Sequence, residues 1–409
     1  KVFEVFFFFF LLNLLSLISQ PLLLSFPFQL PPPPPPQIHC HDWSTAPVAG
    51  LLWQNYHNAG LGTPRAVFTI HNADFGLAAI GDAAHHSQAF TTVSPSYANE
   101  ISGLPAIAPN AFKFSGVRNG IDPDIWDPSN DPFLPVPYDS KTSEPGKKAA
   151  RDALRQRLGL TGWEDRPVVA VVSRLTEQKG VHLIEHAAWR ALDRGAQFVL
   201  LGSAPDPKVQ ARFDALASRL TSENASFVFS FDEPLSHLIY AGADMIVMPS
   251  MFEPCGLAQL ISVRSCFFHF FSKEEKVETK KKQKSKNLNI FPKKSKTNQS
   301  SVLTEGPVVR STGGLHDTVF DVDYDKARAA WEVEGSSDWE RDGLDVTNGF
   351  SFDGTDAGAL DSALNRALDA FYNDKAWFRS LQARIMLTDW SWARPAIDYV
   401  EIYRRAAGQ

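Results

Sequence analysis

Between residues 167 and 264 the chain alternates short apolar runs with longer stretches of helical periodicity. "RPVVAVVSRL", "AQFVLLGS", "ASFVFSF" and "DMIVMPS" are dominated by Val, Ile, Leu, Met and Phe over consecutive positions, the pattern of strands covered on both faces. "GVHLIEHAAWRAL", "PKVQARFDALASRL", "PLSHLIYAGA" and "GLAQLISV" follow them in turn and read as helices. Strands and helices in strict alternation specify an α/β domain with a doubly wound parallel sheet. Ligands of such a sheet sit at the carboxyl ends of its strands, where the strand order reverses, so the residues just after each strand are the ones to examine.

Ahead of this region the pattern is mixed but still globular. "RAVFTIHNADF" reads as a buried strand running into a loop, "AFTTVSPSYANEI" as strand, turn and helix, and "FKFSGVRNGID" as a short strand and a loop. "SNDPFLPVPYDSKTSEPGKKAARDALRQRLGL" is a Pro-rich crossing followed by a helix with Arg and Lys expected on its outer face, and the domain boundary is placed there. The expected division is a first domain over 38–160, a second over 161–385, and a C-terminal helix over 386–409 packing back towards the first.

Two segments break this pattern. Residues 1–37 hold five consecutive Phe, a Leu/Ser tract and six consecutive Pro. The apolar part is long enough for a bilayer core, which takes about 20 residues, but it has neither a basic n-region nor a small-residue cleavage site. It reads as a low-complexity, non-native tract, with no transit peptide in the chain and no membrane partner expected. Residues 265–303 carry ten Lys against three Glu and have no periodic apolar face, so a disordered surface insert is expected there. With the net charge at −6 and this segment at +7, the rest of the chain carries −13, which argues against a nucleic-acid partner. Three cysteines without CxxC spacing argue against a disulfide framework and a structural zinc site and fit a reducing compartment.

The chemistry gathers at the strand ends. "SRLTEQKG" sets Arg174 and Lys179 near the start of a helix, an arrangement suited to a diphosphate or simply to solvated cations. "FEPCGL" follows a later strand with Glu253, a carboxylate able to hold sugar hydroxyls, and with Cys255, Gly256 and Leu257. No His is placed in sequence to activate Cys255, so it reads as a packing or ligand-lining thiol. "PVVRSTGGLHDTV" reads as another strand ending at Thr312, Gly313 and Gly314, where paired glycines let backbone approach a phosphate or merely make a turn. The first domain offers Asp42, His71, Asn72, Asn119 and Asp122 in similar places. His39 and His41 flank Cys40 without a second Cys/His pair, so no metal is expected.

Taken together, "SRLTEQKG", "FEPCGL" and "TGGL" in that order resemble the starch and bacterial glycogen synthases, retaining glycosyltransferases of the GT-B type with two Rossmann-like domains facing a cleft. The resemblance covers 38–264 and about 306–406. "GSAPDP", "DEPLSHLIYAGAD", "GGLHDTVFDVD", "NGFSFDGTDAGALDSALNRAL" and "DWSWARPAIDYVEIY" are most similar to the class III soluble starch synthases of plants and green algae. The resemblance implies transfer of glucose from ADP-glucose to the non-reducing end of an α-1,4-glucan with retention, with no cofactor. It places the protein in the plastid stroma, chloroplast or amyloplast, in possible association with other starch-synthesis enzymes.

By the same resemblance Arg174 and Lys179 stabilise the departing diphosphate and Glu253 meets the donor glucose, with Cys255, Gly256 and Leu257 in the turn beside it. Thr312, Gly313 and Gly314 give backbone donors near the phosphate. Asp42, His71, Asn72 and Asn119 close over the sugar from the opposite wall, His71 in a catalytic role. Phe231 stands where the family carries an aromatic against adenine, and either ring offers a π-face.

Two departures from the family pattern bear on activity. The family's opening Lys-x-Gly-Gly-Leu loop does not occur in this chain, so the first domain is expected to be incomplete, and 265–303 match nothing in the family. The chain as written is therefore expected not to elongate glucan. A catalytically dead glucan-binding or scaffolding homologue and a UDP-sugar transferase of the same fold are the alternatives.

Overall fold

The computed structural model describes residues 36–60, 64–161, 165–265, 268–273, 313–334 and 345–408; 268–273 are described by their backbone alone. Residues 36–409 form one compact unit containing two parallel sheets. The first sheet takes Gln37–His41 (β1), Arg65–Ile70 (β2), Ala89–Thr92 (β3) and Phe114–Gly116 (β4) in the order β1-β2-β3-β4. The second takes Val168–Val172 (β5), Gln197–Leu201 (β6), Ala225–Val228 (β7), Met245–Val247 (β8), Phe268–Lys273 (β9) and Phe350–Asp353 (β10) in the order β10-β9-β8-β5-β6-β7. From β5 the chain winds through β6 and β7 to one edge, then returns to β8 and winds the other way. This is the doubly wound α/β architecture of a GT-B enzyme, and its order reverses between β5 and β8.

The apolar runs form strands because both of their faces are covered. Val169 and Val171 point into a core shared with Leu183, Ile184 and Ala187 of helix Val181–Asp193, whereas Val168 and Ala170 pack with Leu238 and Ile239 of helix Glu233–Gly242. In the first sheet Phe68, Ile70 and Phe90 pack with Ile80 and Tyr97, and all of these side chains are fully buried. Among the described residues no helix is long and apolar enough to cross a membrane.

The helix Ser143–Leu158 corrects the expected boundary and the expected outer face. Its Ala150 and Leu154 sit in the core with Val168 and Ile239, and Leu134 and Tyr138 of the Pro-rich crossing join them, so the second domain's core begins well before residue 161. Lys147 and Arg155 are buried instead of solvated. The Lys147 ammonium donates to the carbonyls of Ala241 and Ala243, each at 3.0 Å, at the end of helix Glu233–Gly242, where the helix dipole favours a cation. Arg155 Nε donates to Gln197 Oε1 at 2.7 Å.

The second correction concerns the insert. Residues 268–273 pair in parallel with both β8 and β10 as β9, inside the sheet instead of on its surface. A slot between two strands favours an aromatic-rich segment of high β-propensity, and "FHFF" supplies one directly after helix Leu257–Arg264. The rest of the insert and the strand read at 307–312 lie outside the described residues.

The helix Ala393–Ala407 lies on the first sheet, where Ile402 and Ala406 pack with Val67 and Val117. The second sheet's far edge is tied by Asp321, which is fully buried. Its carboxylate accepts from Ser351 N at 2.5 Å, Ser351 Oγ at 2.9 Å and Arg366 Nη2 at 3.0 Å. Burial alone would raise the Asp321 pKa, but the Arg366 guanidinium and the Ser351 and Asp323 amides together hold it below the usual carboxylate range. A depressed folded pKa stabilises the fold above the unfolded carboxylate value, about 4, and that stability is lost as pH falls through the folded pKa. Asp321→Asn is expected to cost about 2–3 kcal/mol at pH 7. Its deficit against the parent, followed by thermal unfolding, should narrow steadily below about pH 4; a deficit that does not change with pH would contradict this.

Candidate active site

The loop after β5 and the loop after β8 meet at the point where the strand order reverses. Gly180 (φ +67°) caps helix Val181–Asp193, and a Cβ there would run into the Pro249 carbonyl, so backbone lies directly on backbone. Met251 N donates to Gln178 O at 2.9 Å, and Gln178 Nε2 donates to Phe252 O at 3.1 Å. This stitching brings the Lys179 ammonium into an ion pair with the Glu253 carboxylate, and Ser250 Oγ donates to the same Glu253 oxygen at 3.0 Å. Arg174 stands at the end of β5 with its side chain exposed and no side-chain partner among the described residues. Phe231, past the end of β7 and just before the Asp232 cap of helix Glu233–Gly242, is 92% exposed.

Glu253 opens a turn through Cys255 to Gly256 (φ +79°), which caps helix Leu257–Arg264 and leaves Leu257 exposed at its first position. Burial pushes the Cys255 thiol up to about 12, against a smaller downward effect of its hydrogen bond with Asn119. It is thus a protonated, lining thiol and no nucleophile at neutral pH. Gly313 and Gly314 begin the helix Gly313–Thr318 pressed onto this turn, and a Cβ on Gly314 would collide with the Cys255 carbonyl. Their amide groups are already engaged: Gly313 N donates to Glu100 Oε1 at 2.6 Å and Gly314 N to Glu253 O at 2.9 Å. The glycine pair here serves close packing of the helix on the Glu253 turn, and its amides face protein acceptors. Thr312 lies outside the described residues.

The first sheet supplies the facing wall from the same end. Asp42, directly after β1, holds a left-handed backbone (φ +57°), uncommon for a residue with a Cβ. Its Oδ1 accepts from His71 N at 2.6 Å and from Asn72 N at 3.3 Å at the end of β2. His71 Nε2 lies 3.0 Å from His41 Nδ1, and Asn72 Oδ1 accepts from Asp74 N at 2.9 Å. Asn119, just past β4, touches Cys255, while its buried Oδ1 has no hydrogen-bond partner. An unpaired buried amide oxygen between the two walls is suited to a ligand's hydroxyl or amino donor.

The walls touch through residues that sequence reasoning did not single out. Ser94 Oγ donates to Pro254 O at 2.7 Å, and Tyr97 meets Phe252 with ring centroids 5.2 Å apart. Asp317 accepts from Ser96 N at 2.9 Å and Ser96 Oγ at 2.6 Å, capping helix Pro95–Ile101 from the opposite domain, and Arg118 Nη1 donates to Asp317 O at 3.0 Å. The Ser94-Pro95 start is visible in sequence as a helix cap, but the Pro254 carbonyl 160 residues away and the pairing of Ser96 with Asp317, 221 residues away, are not. The structure thus brings Lys179, Glu253, Cys255, Gly256, Gly313, Gly314 and Asn119 together. Asp42, His71 and Asn72 stand at the neighbouring strand ends, with Arg174 and Phe231 along the second sheet's edge.

Comparison with known proteins agrees with this architecture. Residues 7–83 match the family described as starch synthase catalytic domain, and 155–260 match glycosyl transferases group 1. The chain is similar to soluble starch synthase 3 of Solanum tuberosum, 50% identical over 372 residues that make up 90% of this chain and 26% of that protein. It is 37% identical over 407 residues to glycogen synthase 1 of a Synechococcus strain, covering 90% of this chain and 72% of that one. The chain therefore spans about a quarter of the length of the potato relative. Among solved structures it is similar to the catalytic domain of starch synthase IV from Arabidopsis thaliana bound to ADP and acarbose, with TM-score 0.76, 32% identity, and coverage of 92% of this chain and 74% of that chain. A sucrose-phosphate synthase from Thermosynechococcus elongatus, at 18% identity and TM-score 0.55 over 90% of this chain and 73% of that one, shares the fold alone.

Proposed function

The chain belongs to the starch and glycogen synthase family of glycosyltransferases, and from that premise we propose that its cleft transfers glucose from ADP-glucose to the non-reducing end of an α-1,4-glucan with retention. The observation that carries this reading is the Lys179–Glu253 ion pair astride the strand-order reversal, with Arg174 exposed just after β5. A glucose diphosphate laid across β5 and β8 would put its phosphates at the two cations and its sugar at Glu253 and the unpaired Asn119 oxygen. Phe231 would meet the adenine. Positive charge held in place before the bond breaks stabilises the departing diphosphate without reorganisation. The cleft needs no protein nucleophile in this scheme: Cys255 stays protonated, and the leaving diphosphate takes the acceptor's proton as the new glycosidic bond forms. ADP as the nucleotide is supported by the relative bound to ADP. A plastid location is supported by relatives that bear chloroplastic and amyloplastic names. Association with other starch-synthesis enzymes is part of the same proposal.

The expectation that the chain as written does not elongate glucan is tested with the same reaction. The test compares the intact chain with a transfer form that lacks 265–303, so that the apolar run at 307–312 follows helix Leu257–Arg264 and takes the β9 position between β8 and β10, and that carries the family's Lys-x-Gly-Gly-Leu segment ahead of Ile38. With glycogen as acceptor, the transfer form should incorporate labelled glucose from ADP-glucose well above UDP-glucose, and the intact chain should incorporate none. Incorporation from UDP-glucose at the same or a greater rate would favour the UDP-sugar alternative. Glycogen binding with no incorporation from either donor by the transfer form would favour the scaffolding alternative.

A further inference from the structure

The helix Ala393–Ala407 reaches the first sheet with two tyrosines that the scheme above does not use. Tyr403 Oη lies 2.8 Å from His39 Nδ1, and the other ring nitrogen of His39 lies 2.8 Å from Thr69 Oγ1. Thr69 and Thr91, fully buried on neighbouring strands, hydrogen-bond to each other, and the Tyr399 ring stands against His39 with centroids 5.6 Å apart. With both ring nitrogens engaged, His39 has a fixed ring plane, and its tautomer is tied to the direction of the two hydroxyls. Burial, helped by the neighbouring His41 and His71, pushes its pKa down to about 3, so the ring is neutral at physiological pH.

The flat face of this fixed ring carries His41, with centroids 4.2 Å apart and planes 28° from parallel. His41 Nδ1 in turn lies 3.0 Å from His71 Nε2. The backbone at both ends is tied down as well: His41 N donates to Thr45 Oγ1 at 2.6 Å, and His71 N to Asp42 Oδ1 at 2.6 Å. Three imidazoles thus run from the helix-packed back of the sheet to the exposed His71 at the cleft.

We infer that Tyr403, acting through His39 and His41, is a positioning residue for His71, setting the rotamer and tautomer in which His71 meets the donor sugar. The inference rests on the functional reading above only for the last step, the meeting with sugar. Without the Tyr403 hydroxyl, His39 Nδ1 loses its partner, the ring can turn, and the face that holds His41 is no longer fixed. The C-terminal helix thereby couples to the cleft through side chains that never touch substrate.

The test is Tyr403→Phe, which keeps the ring and its packing. The imidazole nitrogen resonances of His39, His41 and His71 are to be recorded by NMR in the whole chain, and kcat and KM in the transfer form. The variant is expected to move the His71 resonances along with those of His39. It should lower kcat about fivefold, the effect of one hydrogen bond, with KM for glucan unchanged. Glu401→Gln, on the exposed side of the same helix, should change none of these. A shift at His39 with His71 unmoved overturns the inference, as does a His71 shift with kcat intact. The His71 resonances report the coupling without turnover, so failure of glucosyl transfer in the parent would count against the functional reading and leave the coupling to be decided by NMR.

Discussion

Replacing Lys179 by alanine is expected to lower kcat for glucosyl transfer by about a hundred- to a thousandfold, the loss that follows removal of one preorganised charge from a transition state. The Lys179 and Glu253 side chains are only 18% and 16% exposed, so their charges act on a ligand with little screening by water. In the free protein each neutralises the other. When a diphosphate departs beside Lys179, the ammonium faces new negative charge while Ser250 continues to hold the carboxylate. The variant therefore loses transition-state stabilisation and also takes the ammonium away from the Glu253 carboxylate. Glucan binding draws on other residues, so KM for glycogen should change little. Steady-state kinetics of the transfer form and its Lys179→Ala variant decide the matter: a turnover within a factor of about three of the parent would remove Lys179 from the assignment.

Gly314→Ala is expected to lower turnover about a hundredfold, through displacement alone. The added Cβ would collide with the carbonyl, carbonyl carbon and Cα of Cys255, all backbone, and no rotamer change relieves that. Helix Gly313–Thr318 or the turn from Glu253 to Gly256 must move. Either shift also breaks the bond from Gly314 N to Glu253 O, which anchors the carboxylate's own backbone. Donor KM should rise together with the fall in kcat. If Gly314→Ala folds and retains parental kcat, the glycine pair is not what holds the Glu253 turn.

How much of this was legible in the sequence follows from which forces are local. The strand Val168–Val172 reads directly, because a five-residue apolar run has no other use than burial on both faces. Arg174, Lys179 and Glu253 read as a site because strand ends at the reversal of a doubly wound sheet collect ligands, and the structure puts the last two in contact. Lys147 does not read, since its burial depends on carbonyls nearly a hundred residues later at the end of another helix. The strand β9 was hidden by the lysines that follow it: composition averaged over 265–303 looks unfoldable, although the aromatic cluster at its start fits a sheet interior. The engagement of Gly313 by Glu100 joins residues 213 apart, and no local pattern announces it. Asp42 lies between these extremes. Its place after β1 was legible, but its left-handed backbone and its grip on the His71 amide were not.

In the proposed scheme the carboxyl ends of the second sheet hold an adenosine diphosphate at Lys179 and Arg174. Calorimetric titration of ADP and of UDP into the transfer form tests this, because binding at these strand ends does not require transfer. ADP is expected to bind more tightly than UDP, and Lys179→Ala to weaken ADP binding about tenfold, the effect of about 1.4 kcal/mol from one charge-assisted contact. UDP binding as tightly as ADP, or ADP binding unchanged in Lys179→Ala, would contradict it.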